Sequence, residues 1–197
     1  MRGFHAYGKA RRTSQCAGKA RNARALITSH DFTFFQETNL LSRESHYLKT
    51  IIPPGYSDYY SNLRKTTAGV ATVVSPKINN TYNINQLPLP PSLQGYALLL
   101  ELAPKSGDAP LYLLNVYFDS ASSAARTKQV LDLTRTLPES PRIVLGGDFN
   151  FVEDKYRDSS SQSSHYDSSE LFARAWSAFK AKFQLKEVKQ STHTFIS

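Results

Sequence analysis

Cysteine is almost missing from this chain. Of its 197 residues only Cys16 is a cysteine, so no disulfide can form within it and the fold has to rest on packing and hydrogen bonds. One cysteine also fits a reducing compartment or indifference to redox. No apolar run is long enough to span a membrane. Neither common glycine-rich phosphate loop is present. Acidic residues are missing from the first thirty positions, where Arg2, Lys9, Arg11, Arg12, Lys19, Arg21 and Arg24 all precede Asp31. The net charge of +8 is therefore a property of the N-terminal stretch, and the rest of the chain is close to neutral. Three readings of that stretch stay open: a surface for a phosphate backbone, an organelle-targeting segment, or a solvated basic face. Gly3, Gly8 and Gly18 speak against the second, since they would interrupt an amphipathic helix.

What remains is an ordinary globular composition, 40% hydrophobic and 20% charged. The length suits one well-buried core and is short for two. Residues 3 to 18 read as loop, and Lys19 to Ser29 as helix with Ala23, Leu26 and Ile27 on one stripe. Phe32 to Phe35, Gly69 to Val74, Tyr96 to Leu102 and Leu111 to Tyr117 read as strands. Residues 39 to 68 and 77 to 95 are rich in turn formers and read as loops. Asp119 or Ser120 can cap a helix running to about Leu137, with Val130, Leu133 and Leu137 on one face. Residues 159 to 169 read as a mobile serine-rich loop. Glu170 to Phe183 is an amphipathic helix whose Leu171, Phe172, Ala175, Trp176, Phe179 and Phe183 point to core packing. Thr192 to Phe195 could add one more strand. Hairpins with occasional helices argue for a mixed sheet system, and not for a doubly wound parallel sheet.

Ile143-Val144-Leu145-Gly146-Gly147-Asp148-Phe149-Asn150 carries the most information. Three aliphatics predict a buried strand, and the glycines let the backbone turn closely at its end. Side chains two apart on an extended segment share a side, so Asp148 and Asn150 would face one pocket and Phe149 would pack the other way. A carboxylate beside an amide can bind a metal-bound water and a phosphate. The alternative is a loop Asp and Asn that cap the next turn. Other polar groups stand at apolar strand ends in Gln36-Glu37-Thr38, Asn115-Val116-Tyr117 and Ser191-Thr192-His193-Thr194.

Phe35-Gln36-Glu37-Thr38, Ala68-Gly69-Val70-Ala71, Leu114-Asn115-Val116-Tyr117 and Gly146-Gly147-Asp148-Phe149-Asn150 resemble the motifs of the endonuclease/exonuclease/phosphatase superfamily, which is deoxyribonuclease I-like. They stand in that family's order and at its approximate spacing. The resemblance covers roughly residues 2 to 197 as a single, partial domain. The finer likeness is to the endonuclease domains of non-LTR retrotransposons, carried by Asp148 to Val152 with Tyr156-Arg157-Asp158, the helix around Trp176, Thr192 to Phe195 and Arg2-Gly3-Phe4. It implies an α/β (α+β) fold, a four-layer sandwich of two mixed β-sheets flanked by helices.

The resemblance also implies roles. Glu37 would ligate Mg²⁺ or Mn²⁺, since a hard cation suits carboxylate oxygen. Asp148 would orient or deprotonate the attacking water, Asn150 would hold that water or a phosphate oxygen, and Tyr117 would donate a hydrogen bond near the phosphate. His193 and Thr194 read as structural. Arg2, Lys9, Arg11 and Arg12 are candidates for contact with DNA. The family's first strand, with its Asn, and its last strands, with their Asp and His, would fall outside Met1 to Ser197. The expectation is a sandwich incomplete at both terminal strands, with apolar surface exposed, poor stability and little or no nuclease activity on its own. Three functions stay open: a Mg²⁺-dependent DNA endonuclease of retroelement type, which would work in the nucleus; a phosphatase or RNA deadenylase of the same fold; and a non-catalytic nucleic-acid-binding remnant.

Overall fold

A computed structural model describes residues 14–38, 49–62, 68–139, 142–151, 153 and 169–188. They divide into two compact units. The residues through Tyr117 join with Arg142–Gly147 in one; Phe118–Pro141 and the residues from Asp148 onward form the other.

The first unit begins with helix α1, Ser14–Ser29. It starts earlier than the sequence pattern predicts and runs through Gly18, whose cost of about 1 kcal/mol is offset by the good helix formers around it. Strands β1 (Phe32–Gln36), β2 (Ser57–Ser61) and β3 (Val70–Val74) form an antiparallel sheet in the order β1-β3-β2. The register sets Gln36 and Ser61 opposite Val70. β3 is buried along its whole length, as a β-branched central strand should be. Its alternation divides its side chains between two faces. Ala71 and Val73 pack with Ala23, Ile27 and Phe35, which places α1 on that face. Val70 and Val74 pack with Leu98, Leu100, Leu102, Leu113 and Tyr117 of the second sheet.

That second sheet has the order β4-β5-β6-β7, built from β4 (Tyr82–Leu87), β5 (Ala97–Pro104), β6 (Leu111–Tyr117) and β7 (Arg142–Asp148). Ser75 caps the short helix α2, Pro76–Thr81, by accepting from the Ile78 N–H, with proline at its start. α2 and β4 occupy residues where the sequence predicts a loop, and β2 lies inside the other expected loop. Both strands are at sheet edges, and their Ser, Asp and Asn residues mask the strand signal. β4-β5 and β5-β6 are antiparallel. β7 runs parallel to β6, because Arg142 donates to the Ala109 carbonyl at 3.2 Å at one end and Phe118 N–H donates to the Asp148 carbonyl at 2.9 Å at the other. The sheet is therefore mixed.

β7 departs from expectation in two ways. It is the outermost described strand of its sheet, and Val144 is 37% exposed, so Ile143–Leu145 is not a sheet interior. Its glycines lie inside the strand and make no turn. Gly147 has a φ of 140°, and a Cβ there would collide with the Val116 carbonyl. A Cβ at Gly146 would press on the Phe34 ring. The glycines therefore permit close approach.

The second unit holds helix α3 (Ser123–Thr136) and helix α4 (Glu170–Lys182), which pack on each other. Ser122 caps α3 in place of the expected Asp119 or Ser120. Asp119 instead accepts from the N–H groups of Ala121 and Ser122, shaping the turn ahead of the cap. Val130, Leu133 and Leu137 are buried as predicted. So are Phe172, Trp176, Phe179 and Phe183, but Leu171 is 66% exposed and falls off the stripe. Trp176 stacks on Phe179 and meets Phe118, Phe149 and Phe151. This aromatic cluster is the unit's core.

Candidate active site

The sequence-predicted residues fall into two pairs, one in each unit. Glu37 and Tyr117 make the first. Glu37 follows β1 directly with a φ of 51°, a left-handed conformation that costs a non-glycine residue about 1 kcal/mol or more. The next residue is held from two sides. Thr38 N–H donates to the Gly69 carbonyl at 3.1 Å, and its hydroxyl donates to Asn62 Oδ1 at 3.4 Å. The turn presents the Glu37 carboxylate to the Tyr117 hydroxyl, which donates to Oε1 at 2.7 Å. Tyr117 ends β6 and is only 8% exposed. Its ring stacks parallel to Tyr96, with centroids 6.3 Å apart, so the hydroxyl is aimed by a fixed ring.

Two residues earlier on the same face of β6 lies Asn115, which is fully buried. Its amide nitrogen donates to the Ala71 carbonyl at 2.9 Å and reaches the Phe35 carbonyl at 3.3 Å and Thr72 Oγ1 at 3.4 Å. Its Oδ1 accepts from Gln36 Nε2 at 2.8 Å. Asn115 thus ties the strand carrying Tyr117 to the strand leading into Glu37. Sequence reasoning noted Asn115 and Gln36 as polar strand-end residues and gave them no role. The i, i+2 spacing of Asn115 and Tyr117 was the available signal.

The second pair is Asp148 and Asn150. Asp148 ends β7 and is exposed. Asn150 has a φ of 52°, so the segment is not extended, and the alternation argument does not bring the two together. A turn does: Asn150 N–H donates to Asp148 Oδ1 at 3.0 Å. The local-capping alternative is therefore realised in part. The Asn150 amide nitrogen also donates to the Phe118 carbonyl at 2.7 Å. Phe149 packs edge-on against Phe118 and beside Trp176, as expected of a residue facing away from the polar pair.

Arg2, Lys9, Arg11, Arg12, His193 and Thr194 lie outside the described residues, as do the strand expected over Thr192 to Phe195 and nearly all of the serine-rich stretch. Among the described residues no three His, Cys, Asp or Glu side chains gather into a metal-binding cluster. No described helix is long and apolar enough to cross a membrane.

Residues 3–179 match the endonuclease/exonuclease/phosphatase family. No curated protein matches the chain. Among solved structures, an AP endonuclease from Leishmania major, LMAP, is 17% identical with a TM-score of 0.64, over 85% of this chain and 62% of its own. The endonuclease domain of TRAS1, a telomere-specific non-LTR retrotransposon, is 13% identical with a TM-score of 0.54, over 87% of this chain and 66% of its own. A mannosyl-6-phosphatase from Bacteroides thetaiotaomicron is 15% identical with a TM-score of 0.53, over 82% of this chain and 62% of its own. This chain thus spans about two thirds or less of each. At such identities the likeness establishes the fold, and proteins of that fold carry different substrates. The family match covers most of the chain, the two-sheet fold agrees with it, and the chain belongs to the endonuclease/exonuclease/phosphatase family of hydrolases.

Proposed function

We propose that the domain is a phosphodiester hydrolase of the retroelement-endonuclease kind, acting on DNA with the help of Mg²⁺ or Mn²⁺, and that its activity in this chain alone is weak. The observation that carries the proposal is the Tyr117 hydroxyl held on the Glu37 carboxylate at 2.7 Å. A carboxylate oriented by a hydroxyl, on a turn kept in a strained conformation, is the kind of group a hydrolytic site needs. Mg²⁺ habitually takes one or two carboxylates and fills its remaining positions with water and substrate phosphate, so a site built on Glu37 fits it. When bound, the ion would supply positive charge for the phosphoryl and leaving oxygens.

The chain's own groups divide the remaining work. Asp148 would orient the attacking water and take its proton. Asn150 already spends one N–H on the Phe118 carbonyl, so its second N–H and its Oδ1 are what it would offer to water or phosphate. The tyrosine hydroxyl would shift part of its hydrogen bonding to the phosphate as charge develops there. Arg2, Lys9, Arg11 and Arg12 would contact the backbone phosphates of DNA, and this basic stretch favours a polyanion over a small phosphate ester.

Supercoiled plasmid is the sensitive substrate, since one cut per molecule is read. Relaxed circles should form only slowly, in keeping with the weak activity expected of this chain alone, and only with Mg²⁺ or Mn²⁺ and not with EDTA, while inositol and sugar phosphates release no phosphate. Phosphate release without nicking would favour the phosphatase reading. Failure to bind the metal and to cut any substrate would favour the non-catalytic one.

A further inference from the structure

In the first unit a cleft of about 360 Å³ opens where β2, β4 and β5 meet. Its lining includes Asn62, Gln86, Gln94, Leu87, Leu89 and Pro91. Registers place it at the Glu37–Tyr117 end of the sandwich: Ser61 is paired with Val70, opposite Gln36, and Leu87 with Leu99, beside the Ala97–Val116 pair. Hydrogen bonds connect the cleft wall to the site. Gly95 N–H donates to Ser61 Oγ at 2.9 Å, and Gly69 N–H donates to the Gly95 carbonyl at 2.8 Å. Gly69 and Asn62 in turn hold Thr38, the neighbour of Glu37. Tyr96, between Gln94 and Ala97 of the lining, stacks on Tyr117.

Among the described residues the cleft wall carries no Lys, Arg, Asp or Glu. It does carry three side-chain amides. Gln86 is braced by donating Nε2 to the Tyr60 carbonyl at 3.0 Å. Asn62 is oriented by accepting from Thr38. Gln94 is exposed. Amides match the mixed donor and acceptor edge of a base, and the leucines and proline add a smaller apolar contact within a mostly polar lining. The volume suits one base with its sugar. We propose that this cleft receives an unpaired nucleobase of the strand whose phosphate lies at the Glu37–Tyr117 pair. The proposal rests on the nuclease reading and adds a base subsite to it.

The test is binding of the full chain to a short fluorescent single-stranded DNA in EDTA, where no cutting occurs. A tetrahydrofuran abasic residue is moved through the oligonucleotide one position at a time. One position should weaken binding by about tenfold. Gln94→Ala, at an exposed position that folding does not depend on, should weaken the intact strand similarly. It should not weaken further the strand that lacks that base. Gln86→Ala should behave the same way. Equal affinity at every abasic position would overturn the subsite and leave the nuclease reading standing, and so would an equal loss by the Gln94→Ala variant on intact and abasic strands. No binding to any oligonucleotide would overturn both.

Discussion

Asn115→Ala is the substitution whose cost follows most directly from the structure. The side chain has no exposed surface. It makes two hydrogen bonds of ordinary length, one from Gln36 at 2.8 Å and one to the Ala71 carbonyl at 2.9 Å, and two longer ones. The two good bonds contribute about 1 kcal/mol each, and leaving buried carbonyls unmatched adds about 1 kcal/mol, for a loss of about 3 kcal/mol. In a protein of this size 1 kcal/mol moves the melting temperature by roughly 2–4 °C, so Asn115→Ala should lower it by about 6–12 °C. Thermal unfolding followed by circular dichroism measures this. Asn115→Asp separates the hydrogen bonds from the cavity, because a carboxylate fills the space but cannot donate to the Ala71 and Phe35 carbonyls. It should be worse than Asn115→Ala at neutral pH. A fall under about 2 °C for Asn115→Ala would show that the amide does not join the two sheets as described.

Gly147→Ala should cost roughly 3 kcal/mol or more, from a φ of 140° combined with the clash on Val116. Gly107→Ala, with a φ of 87° but open space around it, should cost about 1–2 kcal/mol. Urea midpoints compare them, and equal costs would contradict the close-approach argument. Phe179→Ala, which empties a fully buried position, should cost about 3–5 kcal/mol, whereas Leu171→Ser at a 66% exposed position should stay within about 0.5 kcal/mol in the same assay. At alkaline pH, burial raises the Tyr60 hydroxyl above the usual tyrosine range, and the neighbouring Asp58 raises it further. Tyr59 is raised mainly by burial. A folded-state value above the unfolded one gives stability that is full below about pH 10 and is lost as the pH rises beyond it. Tyr60→Phe should therefore flatten the fall in unfolding midpoint above that pH. An unchanged slope would exclude Tyr60 as its source.

Much of the fold was legible because its central elements are simple. Val70–Val74 and the leucines of β5 and β6 are apolar enough to be strands by composition alone. The edge strands were not. Ser57–Ser61 is half-buried along its whole length, Tyr82–Leu87 mixes exposed and half-buried residues, and their Ser, Asp and Asn content reads as turn. The Asp148–Asn150 pair was found by motif, but for a reason the backbone overruled. An extended segment was expected; the left-handed Asn150 makes a turn. Gly146 and Gly147 were legible as special and misread in kind, because a clash with a neighbouring strand leaves no mark in local sequence. Asn115 shows the same limit, since its partners lie on β1 and β3, far away in the chain.

The most direct measurement is Mg²⁺-dependent nicking of supercoiled plasmid by the wild-type chain, by Glu37→Gln, by Asp148→Asn and by the double variant. If these residues serve one reaction, each single substitution should lower the rate by about 10²–10⁴-fold, and the double variant should be little worse than the weaker single one. Nicking that survives both substitutions, or that proceeds equally in EDTA, would contradict the assignment of this domain as a metal-dependent phosphodiester hydrolase.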